Sequence, residues 1–158
     1  MNKILKYKKL YWIYISIYIL TIDISIKKII INKLCIGCKI YFFYFINITH
    51  IHNLGAAFNF LSDGYIWQMY ILNLTSIFTS CLFLIKLIIY NNKNNINNIS
   101  NSIILGGIVG NLYDRLNNNY VIDYIDLHIK NFHFPVFNIS DLSIVIGLFL
   151  ILYKNFLN

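Results

Sequence analysis

The sequence predicts an α-helical polytopic membrane protein with four transmembrane helices and a small extracytoplasmic β-rich element. Three observations lead there. Hydrophobic residues make up 58% of the 158 and charged residues only 12%, at a mean hydropathy of +0.63, far from the roughly 25% charge of soluble domains. Four apolar runs recur, at about 10–31, 65–90, 102–116 and 139–157, and about 20 apolar residues are needed to cross a bilayer. Between them lie two segments of different character, 32–64 and 117–135. By length, residues 1–158 form a single membrane-embedded domain.

The first span opens on Lys3, Lys6, Lys8 and Lys9 with no acid among them, which places that end on the cytoplasmic side. No A-x-A site follows, since the only alanines are Ala56 and Ala57, so the run is expected to be a retained span rather than a cleaved signal. Asp23 and Lys27 stand four apart, the spacing of an ion pair on one helix face. In 32–64, Tyr41 to Ile51 is aromatic and β-branched and reads as strand. Asn53-Leu-Gly55-Ala-Ala-Phe58 follows, small enough for close backbone approach.

The second span has Trp67 and Tyr70 for one interface and Lys86 near the other. The run from Asn91 to Asn101 reads as a polar connecting loop. In the third span Gly106, Gly107 and Gly110 thin one face for helix packing. Val121 to His128 alternates like a strand or extended loop, and Pro135 precedes the final span. An even number of spans returns the chain to its starting side, with both termini cytoplasmic and both non-helical segments outside.

The chain has no Glu, and four of its six Asp lie between Asp114 and Asp141. An ionisable group at membrane depth is a functional candidate. Asn111-Leu-Tyr-Asp114 and Asn138-Ile-Ser-Asp141 repeat an Asn-x-x-Asp spacing, and on a helix each Asn would orient its own Asp. Two close carboxyls do not both ionise cheaply, so one keeps a proton while the other activates water. That chemistry is acid/base hydrolysis. From spacing alone the pair would be Asp114 and Asp141.

Other motifs carry less. Cys35-Ile-Gly-Cys38 has redox or zinc spacing, but zinc needs two further ligands; the two are read as incidental thiols able to pair outside the cell. Cys81, inside an apolar run, is expected in the core. His50, His52, His128 and His133 are expected at the surface, and no metal site is predicted. The formal charge of +7 comes mostly from lysines at the ends of apolar runs, which draws no groove for nucleic acid.

Taken in order, these blocks resemble the lipoprotein signal peptidases (signal peptidase II), a family of membrane aspartyl proteases. The resemblance rests on Asp23 with Lys27, Asn53-x-Gly55-Ala56-Ala57-Phe58, Gly106-Gly107-x-x-Gly110-Asn111-x-x-Asp114-Arg115, Val121-x-Asp123 and Phe137-Asn138-x-x-Asp141. It implies a catalytic pair at Asp123 and Asp141 rather than Asp114 and Asp141. Asp23, Lys27, Asn53, Gly55, Asn111, Asp114, Arg115 and Asn138 become its supporting and substrate-binding residues. Arg115 beside Asp114 favours an ionised, structural role for that acid. The chain departs from the family pattern at Ser140, where Ala is usual, and at Ile26, where a small or hydroxyl residue is usual. The resemblance further implies diacylglyceryl prolipoproteins as substrates, cut before the lipidated Cys. It implies contact with membrane lipids, no metal or organic cofactor, and a multi-pass location in the bacterial inner (plasma) membrane. The competing reading is a small proton-coupled carrier or channel. A carrier would place its acids near mid-bilayer within internal repeats, whereas these acids cluster toward one interface.

Overall fold

The computed structural model describes residues 3–55, 65–89 and 95–157. Ala56, Ala57 and Phe58 lie outside the described residues, as does the start of the Asn91–Asn101 segment. Four helices occur among the described residues: α1 (Lys3–Lys33), α2 (Ile66–Ile89), α3 (Asn95–Asn118) and α4 (Ile139–Leu157). Four strands, β1 (Lys39–Phe43), β2 (Ile46–Asn53), β3 (Val121–Ile129) and β4 (Phe132–His133), form an antiparallel sheet in the order β1-β2-β3-β4. The strand expected over Tyr41–Ile51 is therefore a hairpin, turning at Tyr44 and Phe45.

α2 and α4 are long and apolar enough to cross a membrane. They turn Leu74, Phe78, Leu82, Ile85, Val145, Phe149 and Leu152 outward. Polar groups are turned in. α3 is the axial helix, packed against α1, α2 and α4, and it buries Asn98, Ser100, Asn101 and Ser102. Such an arrangement suits an apolar solvent, where helices associate through small residues and internal polar contacts.

Residues 95–101 are thus helix and not the loop their composition suggests. Asn is a weak helix former in water, but here its helix is enclosed on three sides and tertiary packing outweighs propensity. The serines are satisfied locally: Ser100 Oγ donates to Ile96 O at 2.7 Å and Ser102 Oγ to Asn98 O at 2.7 Å. Ser16 Oγ of α1 reaches across to Ser102 O, also at 2.7 Å.

Glycine sets how closely the helices approach. A Cβ on Gly106 would stand 2.8 Å from Ser16 O of α1, and one on Gly107 would collide with Ser140 O of α4. α3 ends through Asn119, which takes a left-handed φ of 66° and returns its N–H to Arg115 O at 3.0 Å. β3 starts two residues later, so Asp114 and Asp123 stay close to the same junction.

A small apolar core of Ile30, Leu34, Ile122 and Tyr124 joins the end of α1 to the sheet, with Ile26 and Cys38 packed against it. Ile26 is therefore a core contact. Cys35 and Cys38 form a disulfide around a turn whose Gly37 has φ 80°. Two expectations change. Cys81 faces outward from α2, among the apolar side chains that this helix leaves exposed. His50 is buried and its Nδ1 lies 2.8 Å from Leu34 O, while His52 Nε2 meets His50 Nε2 at 3.1 Å.

Candidate active site

Asp123 comes from β3 and Asp141 from the first turn of α4, and the two line one cavity of about 270 Å³. The rest of its wall is mostly apolar, including Leu127, Phe134, Pro135, Phe137, Leu142 and Val145. Asn53 closes it beside Asp123. A second cavity of about 270 Å³ reaches Asp141 from the side of α2, past Thr75, Ser76, Asn111 and Arg115.

Asn138 joins the two acids. Its Nδ2 donates to Asp123 Oδ1 at 2.7 Å, while its Oδ1 accepts the Asp141 N–H at 2.9 Å. Asp141 Oδ2 in turn accepts the Asn138 N–H at 3.3 Å. This is a reciprocal capping box that starts α4, and its N-cap amide also holds the other aspartate.

Two further amides are aimed by the same logic, since an amide carbonyl pinned by a donor turns its NH₂ the other way. Asn53 Oδ1 accepts the Gly55 N–H at 2.9 Å, so Nδ2 donates to Asp123 Oδ2 at 2.9 Å. Asn111 Oδ1 faces Asn138 Nδ2 at 3.2 Å and Lys27 Nζ at 3.4 Å, so its Nδ2 donates to Asp141 Oδ1 at 2.7 Å. The Asn-x-x-Asp spacing therefore works differently from the simple expectation. Asn111 orients Asp141, not the Asp114 three residues on.

Asp114 is committed elsewhere. Lys27, itself buried, sits 2.8 Å from Asp114 Oδ2 and 2.6 Å from Asp23 Oδ2. Asp114 Oδ2 also accepts the Ile122 N–H at 3.2 Å, tying the start of β3 to α3. Removing one member of such a buried ion network typically costs about 3–5 kcal/mol, because the remaining charge is left unpaired. Arg115 Nη2 donates to Gly55 O at 3.1 Å and holds the end of β2 over the site. All ten residues singled out in the sequence thus fall within one connected network.

Electrostatics separates the acids. Burial, then the negative charge of Asp141, pushes Asp123 up to about 7, against the opposing hydrogen bonds from Asn53 and Asn138. Asp126, three residues along the strand, behaves oppositely. Burial would raise it, but hydrogen bonds from Lys39, His133 and Asn47 outweigh that and hold it at about 2. Its contacts are Lys39 Nζ at 2.8 Å, His133 Nδ1 at 2.7 Å and Asn47 Nδ2 at 3.2 Å. Sequence reasoning missed this cluster; its only trace is the segment that puts Asp126 on a strand, and its partners Lys39, Asn47 and His133 come from β1, β2 and β4. Among the described residues no group of three or more His, Cys, Asp or Glu could hold a metal ion.

A protonated carboxyl and a carboxylate facing one apolar cavity can bind a water, deprotonate it and polarise a carbonyl. Comparisons with known proteins agree with that chemistry. The family model for signal peptidase (SPase) II matches residues 15–157. A lipoprotein signal peptidase of Buchnera aphidicola subsp. Schizaphis graminum is 49% identical over 96% of this chain and 98% of that protein. One from Pseudoalteromonas translucida is 36% identical over 99% and 94%. Two solved structures described as bacterial membrane enzymes superpose with TM-scores of 0.84 and 0.80, each 30% identical. They cover 92% and 91% of this chain, and 87% and 91% of the respective structures. With the match running from α1 through α4, the chain belongs to the signal peptidase II family.

Proposed function

We propose that Asp123 and Asp141 are the catalytic dyad of this signal peptidase, cutting diacylglyceryl prolipoproteins before the lipidated Cys. Family membership makes the chain an aspartic endopeptidase that acts on lipoprotein signal peptides. One observation carries the dyad assignment: acids from two different elements meet on one apolar cavity, bridged by a single buried amide.

The chemistry follows from the donors. Asp141 lies at the N-terminus of α4, where the helix dipole favours a carboxylate, and takes a proton from the water. Asp123 holds the other proton and donates it to the scissile carbonyl oxygen as the water oxygen attacks carbon. The tetrahedral gem-diol then collapses as Asp141 passes its proton to the leaving amide nitrogen, while Asp123 recovers its own from the diol. The C–N bond breaks, one carboxylic acid and one amine leave, and the dyad returns to one proton. Arg115, Asn53 and Asn111 keep both carboxyls at the cavity wall.

All four helices span the bacterial inner membrane in this reading, with both termini cytoplasmic and the sheet outside. The apolar outer faces of α2 and α4 and the basic start of α1 support it. Membrane lipids then bathe the helices, and the substrate's acyl chains approach from the bilayer.

The test is cleavage of a diacylated prolipoprotein by purified, folding-checked variants. Asp123→Asn and Asp141→Asn should each abolish it, and the double variant should be little worse, because residues acting as one unit are not additive. Normal cleavage by Asp123→Asn, with none by a well-folded Asp114→Asn, would move the role to Asp114.

A further inference from the structure

The first turn of a helix leaves its N–H groups without intrahelical partners, and in α4 two of them are held by other elements and a third by the helix's own cap. Ile139 N donates to the Tyr124 hydroxyl of β3 at 3.3 Å, Ser140 N to Asp23 Oδ1 of α1 at 3.2 Å, and Asp141 N to its own cap Asn138 at 2.9 Å. Ser140 adds a second bond. Its hydroxyl donates to Asp23 Oδ2 at 2.8 Å, so one fully buried residue grips both oxygens of the α1 carboxylate. On the α3 side Gly110 lies so close to Ser140 Oγ that no Cβ fits between them.

Asp23 Oδ2 also carries Lys27 at 2.6 Å. Without the hydroxyl, Lys27 is the dominant partner, and the carboxylate is free to turn toward it and away from the longer Ser140 N–H contact. We propose that the Ser140 hydroxyl is a positioning residue of the hydrolytic site. It fixes the height and rotation of the first turn of α4 against α1, and so the direction from which Asp141 meets its water. The proposal rests on the assignment of Asp123 and Asp141 above.

The experiment uses the full-length chain purified in detergent and a synthetic diacylated prolipopeptide. kcat and KM are measured separately for wild type, Ser140→Ala, Asp23→Asn and the double variant, with thermal unfolding in the same detergent. Ser140→Ala is expected to lower kcat about tenfold, the scale of losing one hydrogen bond to a charged group. KM should stay within about twofold, since no atom of Ser140 lines the cavity that takes the peptide. On the Asp23→Asn background the same substitution should cost clearly less, because the charged partner is already gone. Ser140→Cys, with similar shape and a weak S–H donor, should fall between Ser and Ala; it is read against the same thresholds if the Ala variant does not fold. A kcat within twofold of wild type, a change confined to KM, or an undiminished loss on the Asp23→Asn background would each overturn the proposal. An inactive wild type would instead overturn the peptidase reading on which it stands.

Discussion

Asn138→Ala is the sharpest perturbation of this site, because one buried side chain serves two functions that different substitutions separate. Its Oδ1 caps α4 at Asp141 N, and its Nδ2 donates to Asp123 Oδ1 at 2.7 Å and to Asn111 Oδ1 at 3.2 Å. Losing the cap costs about 1 kcal/mol. Losing the bond to an acid that must carry or share charge costs about 1.5–3 kcal/mol. If the second term falls on the transition state, kcat drops about 10- to 150-fold. Asn138→Ser tells the two apart. Its hydroxyl can still cap the helix but is too short to reach Asp123, so stability should return by about 1 kcal/mol while kcat stays low. Cleavage of a diacylated prolipopeptide and thermal unfolding in one detergent read both quantities. If Asn138→Ala keeps more than a third of wild-type kcat, or if Ser restores activity together with stability, the bridging argument fails.

The pH dependence carries a definite sign. Asp123, raised to about 7, must be protonated to donate, so kcat/KM should fall as pH rises through about 7, with that value belonging to the dyad as a unit. Asn53 donates to the Asp123 carboxylate, so Asn53→Ala should move this limb to higher pH; a downward shift in the profile would contradict the role given to that amide. Asp126 is depressed to about 2 when folded, so it stabilises the fold above its ordinary value near 4 and loses that contribution as pH falls through 2. Asp126→Asn should therefore cost about 1–2 kcal/mol at pH 7, discounted for the half-exposed Lys39 and His133, and nothing below pH 2. Equal unfolding temperatures at pH 7 would show the cluster to be inert.

Much of this was legible in the sequence where a single physical rule dominates. The i, i+4 spacing of Asp23 and Lys27 foretold their contact, and the glycines of α3 foretold its close neighbours. Val121 to His128, read as strand or extended loop, lies in β3, although both of its faces are covered over the first four residues. Legibility failed where a three-dimensional neighbour overrides the local rule. Asn95–Asn101 reads as loop because propensity assumes water, and the enclosing helices remove it. Cys81 reads as core because apolar runs are assumed to face inward. The partner of Asn111 is 30 residues away on another helix, so no spacing rule within its own helix could name Asp141. Local spacing would pair Asp114 with Asp141; the proposed Asp123–Asp141 pairing came from the family resemblance.

The composition of the centre explains why three asparagines recur there. Asp23, Asp114 and Asp123 are buried and Asp141 half-buried, against Lys27 and Arg115 as the buried cations among the described residues. One proton on the dyad removes a third negative charge, which still leaves one uncompensated. A further cation would close the balance, but it would also hold both aspartates ionised and abolish the acid. Neutral amides avoid that conflict. Each supplies oriented N–H donors to a carboxylate without fixing its protonation state, and each is itself aimed by a donor on its carbonyl. The fixed charges are kept one layer back, where Lys27 binds Asp23 and Asp114 and so holds α1, α3 and β3 in register. On this logic the site separates the charges that build it from the amides that tune it, and a Lys placed at position 111 or 138 would be more damaging than an Ala.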